Sequence, residues 1–252
     1  TQKHNLSFSG AAPDNRNNYR LSLSADKQEG VIPTSIYDRL TLTGATQAVV
    51  NSWLKVDLSM TYSYSNGDQV FKGDGGPLIG LMFWPQTDDA SDWLTPAGTR
   101  NRITSLTAGG EVDNPYFNIH KNKINAKTNR IMTNVGFIIA PWRWGSLKSN
   151  IGVDGYTNQN LVMRHPESYY GYAYNGTLDV ADNITRNITA QTLLNFNSYL
   201  LGKGVSISGL VGNAVADYRD LTDALKGQDF LDPNFVSINN TSLATRFARS
   251  TL

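Results

Sequence analysis

A chain of 252 residues with 17% charged residues and a formal net charge of +1 has no basic stripe of the kind a nucleic-acid partner requires. No apolar run is long enough for a membrane-spanning helix, but spanning strands remain open, because their alternation keeps mean hydropathy moderate. The absence of cysteine excludes disulfides and thiolate metal sites.

Period-two alternation, the mark of strands with one apolar and one polar face, recurs along the chain. Leu6 and Phe8 alternate with Asn5, Ser7 and Ser9. Tyr19, Leu21, Leu23 and Ala25 alternate with Arg20, Ser22, Ser24 and Asp26, and Leu40 and Leu42 with Thr41 and Thr43. The strongest run places Leu54, Val56, Leu58, Met60, Tyr62 and Tyr64 on one face and Lys55, Asp57, Ser59, Thr61 and Ser63 on the other. Ten steps of ~3.3 Å at a tilt of ~40° rise about 25 Å, the height of the apolar band on an outer-membrane barrel, and Tyr62 and Tyr64 would meet its aromatic girdle. Val135, Phe137 and Ile139 predict a strand ending at Ala140-Pro141. Leu147, Ser149, Ile151 and Val153 oppose Lys148, Asn150 and Asp154. Ile188, Ala190, Thr192, Leu194 and Phe196 oppose Thr189, Gln191 and Asn195, and Val205, Ile207, Gly209 and Val211 close the series. Eight strands are expected.

Short links are expected at 11–18, 48–52, 141–146 and 197–204, and longer ones at 28–38, 66–122, 158–182 and from Asp217 onward. Short and long alternate, as in an up-and-down meander with one rim trimmed and the other elaborated. The fold expected is an all-β transmembrane antiparallel barrel. Its apolar faces would meet lipid, and Lys55, Asp57, Ser59, Lys148, Asn150, Asp154, Gln191 and Asn195 would line a wet lumen. The rival is a soluble glycan-binding β-sandwich, whose strands also alternate but pack their apolar faces together.

Chemistry-bearing clusters are sparse. His4, His120 and His165 are far apart and read as polar strand-end or loop residues. Asp88, Asp89 and Asp92 lie beside Trp84 and Trp93 in the longest loop. Carboxylates and indoles together could hold sugar hydroxyls and sugar faces, and the acids alone could hold calcium. The plainer reading is a loop in which Trp84 and Trp93 anchor its own small core. Gly73, Gly75, Gly76 and Gly80 lack nucleotide-loop spacing and read as turn residues. Asp179, Asp182 and Glu167 read as solvated acids; with the carboxylates mainly in loops, a glycoside hydrolase is disfavoured. The sequons at Asn183 and Asn187 read as chance. Trp142 and Trp144 around Arg143 fit a membrane-interface girdle and a packed turn equally well. No catalytic residue, cofactor or metal ligand is assigned.

Several short stretches occur in an order that resembles the SusC/RagA-type TonB-linked outer-membrane transporters. These are His4-Asn5-Leu6-Ser7-Phe8-Ser9-Gly10, Tyr19 to Ser24, Gln28 to Ile32, Tyr37 to Leu42, Gly76-Pro77-Leu78 through Trp84-Pro85, Asn114-Pro115-Tyr116-Phe117 with Lys121 to Lys123 and Asn129-Arg130, and Phe235 to Thr241. The resemblance implies roughly the first third of a barrel wall of about 22 strands, without signal peptide, plug or closing strands. It also implies a bacterial outer-membrane location, a SusD-like surface lipoprotein as lid, energy supplied through TonB, and an oligosaccharide or peptide cargo that undergoes no covalent chemistry. Tyr116 and Phe117, at the return from the longest loop, join Trp84, Asp88, Asp89, Asp92 and Trp93 as candidate cargo or partner contacts.

Overall fold

A computed structural model describes residues 1–14, 16–102, 111–200 and 206–251. Nine strands follow in order: β1 (Gln2–Ala11), β2 (Asn17–Glu29), β3 (Ile36–Val49), β4 (Leu54–Gln69), β5 (Lys123–Trp142), β6 (Gly145–Arg164), β7 (Thr177–Leu200), β8 (Ser206–Phe230) and β9 (Thr241–Thr251). Each pairs antiparallel with its sequence neighbours in one sheet of order β1 to β9. Two short helices, α1 (Pro77–Phe83) and α2 (Pro115–Lys121), lie in the β4–β5 connection. No helix among the described residues is long and apolar enough to cross a membrane.

Register carries the alternation from strand to strand. Leu23 stands opposite Leu42, Leu42 opposite Tyr62, and Tyr62 opposite Ile131. Nearer the short links, Leu58, Val135, Ile151, Ala190 and Val215 form another row of the same face. A slip of one residue anywhere would turn a whole strand over, so these rows fix the pairing. The opposite face holds all eight polar residues expected in the lumen. Lys55 and Lys148 flank Ile138; Asp57 and Asn150 flank Gly136, with Gln191 beyond. Ser59 faces Asn134, Asp154 faces Met132, and Asn195 faces Ser146. Across this polar face the Arg130 guanidinium donates two hydrogen bonds to Asp154, at 2.9 and 2.7 Å.

Among the described residues no second layer covers the apolar face. Leu58 is 41% and Met60 44% exposed, whereas a sandwich would have buried both. The buried apolar residues lie instead at the rim and in the loops: Phe71, Trp84, Val112, Phe117, Met163, Leu178 and Phe230. The soluble β-sandwich is therefore contradicted. On the apolar face the hydroxyls of Ser149 and Thr192 satisfy one another at 3.0 Å.

The strands outrun the expectation at their loop-side ends. There are nine rather than eight, the addition being β9, and β8 continues through Asp217 to Phe230, where a loop was expected. The connection expected at 158–182 shrinks to 165–176, and that at 28–38 to 30–35. In these stretches both faces are polar, as in Asn158-Gln159-Asn160, so alternation fades while the hydrogen-bond ladder continues. The link at 201–205, with Val205, lies outside the described residues. At the short-link rim Trp142 stacks on Trp144, with centroids 5.3 Å apart, and Trp144 on Phe196 at 5.8 Å. Both indoles stay about half exposed, so this turn combines internal packing with an outward aromatic surface.

Replacing Met60, near mid-band, by Arg should destabilise the bilayer-embedded protein by about 2–4 kcal/mol, whereas Ser59→Arg on the polar face should cost well under half of that. Denaturant titration of the full-length protein in lipid vesicles measures both.

Candidate functional site

The loop-side rim is the part of the chain with a dense interior. Its centre is Asp113, which follows the segment 103–110 and precedes α2. The Asp113 carboxylate accepts from the Arg100 guanidinium at 2.7 Å, the Tyr169 amide at 2.6 Å and the Ser168 hydroxyl at 2.5 Å. The side-chain amides of Asn118 and Asn122 add weaker bonds at 3.3 and 3.4 Å. One carboxylate thus ties the β4–β5 connection to the β6–β7 connection. The Asn122 side chain reinforces the tie by donating to Ser168 Oγ (3.2 Å) and accepting from the His165 amide (2.9 Å).

Local sequence explains how α2 is placed here. Asn114 caps the helix, accepting from the Tyr116 and Phe117 amides at 2.9 and 3.2 Å, and Pro115 occupies the first turn, where its missing N–H is no loss. The helix lays Phe117 fully inside, edge-on to His165 at 5.4 Å. Gly80 lets α1 approach: a Cβ there would sit 2.5 Å from the Asp113 carbonyl oxygen.

Beside this hub lies an arginine–glutamate chain. Glu111 accepts from Arg100 at 2.6 Å and from Arg102 Nε at 2.7 Å, with a second contact from the Arg102 terminal nitrogen. Burial alone would raise the Glu111 carboxyl, but hydrogen bonds and charge from Arg102 and Arg100 reverse this and hold it below the ordinary range. Burial pushes His165 down, helped by the charge of Lys121. Its Nδ1 accepts the Glu167 amide at 3.2 Å, a bond that protonation would destroy. Arg100, Arg102 and Glu111 with Glu167, Tyr169 and Tyr172 wall a cleft of about 430 Å³.

The acids and indoles singled out in the sequence do not form one site. Trp84 is buried against Val112 with Ala90, and Trp93 stacks on His120 at 5.1 Å and meets Phe117 edge-on at 6.2 Å. Both indoles therefore serve the loop's own core. Asp88 accepts from the Thr87 hydroxyl at 3.1 Å, and Asp89 from the Ser91 amide and hydroxyl at 2.8 and 2.7 Å. Among the described residues no three His, Asp or Glu side chains gather as a metal site. Tyr116 remains partly exposed and is not among the residues that wall the cleft. Arg100, Glu111, Asp113 and Ser168 were not anticipated, since their partners are brought together only by folding. Asn114-Pro115, a capped helix start, was the one local signal.

No protein-family model matches the chain, and no curated protein matches it in sequence. Among solved structures, the RagAB peptide transporter superposes with a TM-score of 0.69 over 98% of this chain at 16% identity. The RagAB peptide importer in its closed-closed and open-open states gives 0.69 and 0.68. The chain has the fold of part of the RagAB barrel wall. Its strands are antiparallel and up-and-down in one sheet, and it spans 28% of the RagAB chain's length.

Asp113→Ala should open the rim, because it leaves the buried Arg100 without one of its two carboxylates; removing one partner of such a pair costs about 3–5 kcal/mol. Hydrogen exchange of residues 111–122 and 165–176 should accelerate, with strand exchange unchanged. Acid should act on the same segments in two stages. His165 and Glu111 both have lowered values in the fold, so the unfolded segment takes up each proton first. Rim protection should decline as pH falls below ~6.5, and again below ~4.3, each loss ending once the folded group itself protonates. Exchange rates independent of pH across both windows, after correction for intrinsic chemistry, would contradict the assignment.

Proposed function

We propose that the chain is part of a bacterial outer-membrane importer for a bulky nutrient, an oligosaccharide or a peptide, energised through TonB and covered by a SusD-like surface lipoprotein. The observation that carries this reading is the two-sided sheet: an exposed apolar face over the height of a bilayer and a continuous polar face behind it, in the fold of a RagAB transporter. On this reading the polar face, including Lys55, Asp57, Ser59, Lys148, Asn150, Asp154, Gln191 and Asn195, lines the passage. A polar wall lets hydrated cargo pass without shedding all of its water into hydrocarbon.

The braced rim has a role in this scheme. A lid and a cargo both need a surface that keeps its shape when the lid moves, and the Asp113 hub supplies rigidity without a disulfide. The cleft beside it offers the exposed Tyr172 ring and the Arg102 guanidinium, held in place by Glu111. Ring faces take sugar or side-chain faces, while a fixed guanidinium takes carbonyl or carboxylate oxygens. Transport needs no bond-making step, which agrees with a fold shared with transporters.

Cells relying on the full-length protein should take up labelled oligosaccharide or peptide only while TonB is functional. Tyr172→Ala with Arg102→Ala should weaken cargo binding about tenfold, as expected when contacts worth about 1.4 kcal/mol are lost. Uptake that persists undiminished without TonB would overturn the proposal.

A further inference from the structure

We propose that Arg186 and Arg219, on the outward face of β7 and β8, form a binding site for the phosphate of an anionic lipid headgroup. The two residues are direct cross-strand partners on the face that also carries Ile184, Ile188, Val215 and Leu221. Like charges directly opposite each other destabilise an antiparallel pair. Asp217 offsets them only in part: one of its oxygens lies 3.4 Å from Arg186 and 3.3 Å from Arg219. Two guanidiniums therefore share a single carboxylate, and both remain about half exposed.

The surroundings select the anion. Gly155 stands opposite Arg186 on β6, so no side chain stands between Ile131 and Arg186 in that row, and a Cβ there would make only ordinary contact with Ile131 at 3.8 Å. Guanidinium forks match phosphate oxygens in pairs. Height points to a lipid as the source. Arg186 lies about ten residues along β7 from Phe196 of the stacked aromatic rim, a rise of about 25 Å at a tilt of ~40°, which is the far edge of the apolar band. Exposed Ile184, Val215 and Leu221 beside the arginines would meet acyl chains and headgroup glycerol rather than bulk water. Farther along the strands the outward charges are mixed, with Asp182 opposite Asp223, Lys127 in the same row on β5, and Arg246 paired to Asp223. The basic pair thus sits at a headgroup level, where lipid phosphates are concentrated. The inference rests on the membrane reading of the sheet, not on the cargo or its energy source.

The test uses the full-length transporter extracted from its own membrane in mild detergent, with retained lipid measured by native mass spectrometry. The wild type should keep phosphate-bearing lipid. The R186S/R219S double variant should lose it at least ~5-fold, on the basis of about 1 kcal/mol per arginine near a charged surface. Arg246→Ser, on the same face beyond this level, should retain it. Delipidated wild type should regain phosphatidylglycerol from vesicles in preference to phosphatidylcholine. Equal retention by wild type and double variant, or equal uptake of the two vesicle lipids, overturns the site. So does binding of inorganic phosphate with no preference between lipids, which would mean an adventitious ion only. Retained heat-modifiable migration on gels verifies folding, and R219S alone, expected to show a partial loss, carries the test if the double variant fails to fold. Cargo uptake by the same cells separates the two proposals: lipid retention unaffected by the variants with uptake intact removes the site and leaves the importer standing.

Discussion

Backbone amides and carbonyls in hydrocarbon have no water to pair with, so every one must find a partner within the protein. That constraint organises this chain. Strands β2 to β8, each hydrogen-bonded to both sequence neighbours, meet it without crossovers, while β1 and β9 are paired on one side. Side-chain alternation then decides which surface meets which solvent, and register passes that decision from Leu23 on β2 to Val215 on β8. Some polar groups on the apolar side pair with each other, as Ser149 does with Thr192. The polar side, with water or protein to meet, tolerates charges such as Arg130 and Asp154.

Burial is consequently inverted relative to a water-soluble domain. The strand centres contribute almost nothing to a dry core, and the tightly packed interior lies in the connections beyond the loop-side edge. That interior is unusually polar. Asp113 and Glu111 hold Arg100 and Arg102, while three asparagines carry hydrogen bonds between segments far apart in sequence. Such a network gains less from burial than an apolar core does, but it fixes geometry, because each broken link strands a buried polar group. The rim is therefore held by geometry more than by apolar burial.

What could be read in the sequence follows from where the two solvents differ. Between Leu54 and Tyr64 one face meets hydrocarbon and the other meets polar surroundings, and the pattern is plain. Toward the loop-side ends the contrast fades, and in Asn158 to Arg164 and Asp217 to Phe230 polar residues stand on both faces although the ladders continue. Strand β9 escaped notice because Leu243 and Phe247 sit among serine, threonine, alanine and arginine with no sustained contrast. At the rim, Trp84 and Trp93 were legible as anchors of a loop core. The Asp113 hub was not, since its donors come from positions 100, 118, 122, 168 and 169 and carry no common local pattern. Family-like words such as Asn114-Pro115-Tyr116-Phe117 pointed to the fold more directly than any single physical rule did.

The central claim is that one side of this sheet touches lipid and the other does not. Nitroxide labels placed singly at Leu58, Ser59, Asn150 and Ile151 of the full-length protein in liposomes test it, with collision rates measured against oxygen and a water-soluble nickel chelate. Labels at 58 and 151 should favour oxygen strongly, and those at 59 and 150 should not. Equal access of the chelate to all four positions, or oxygen preference on the Ser59 side, would contradict the account.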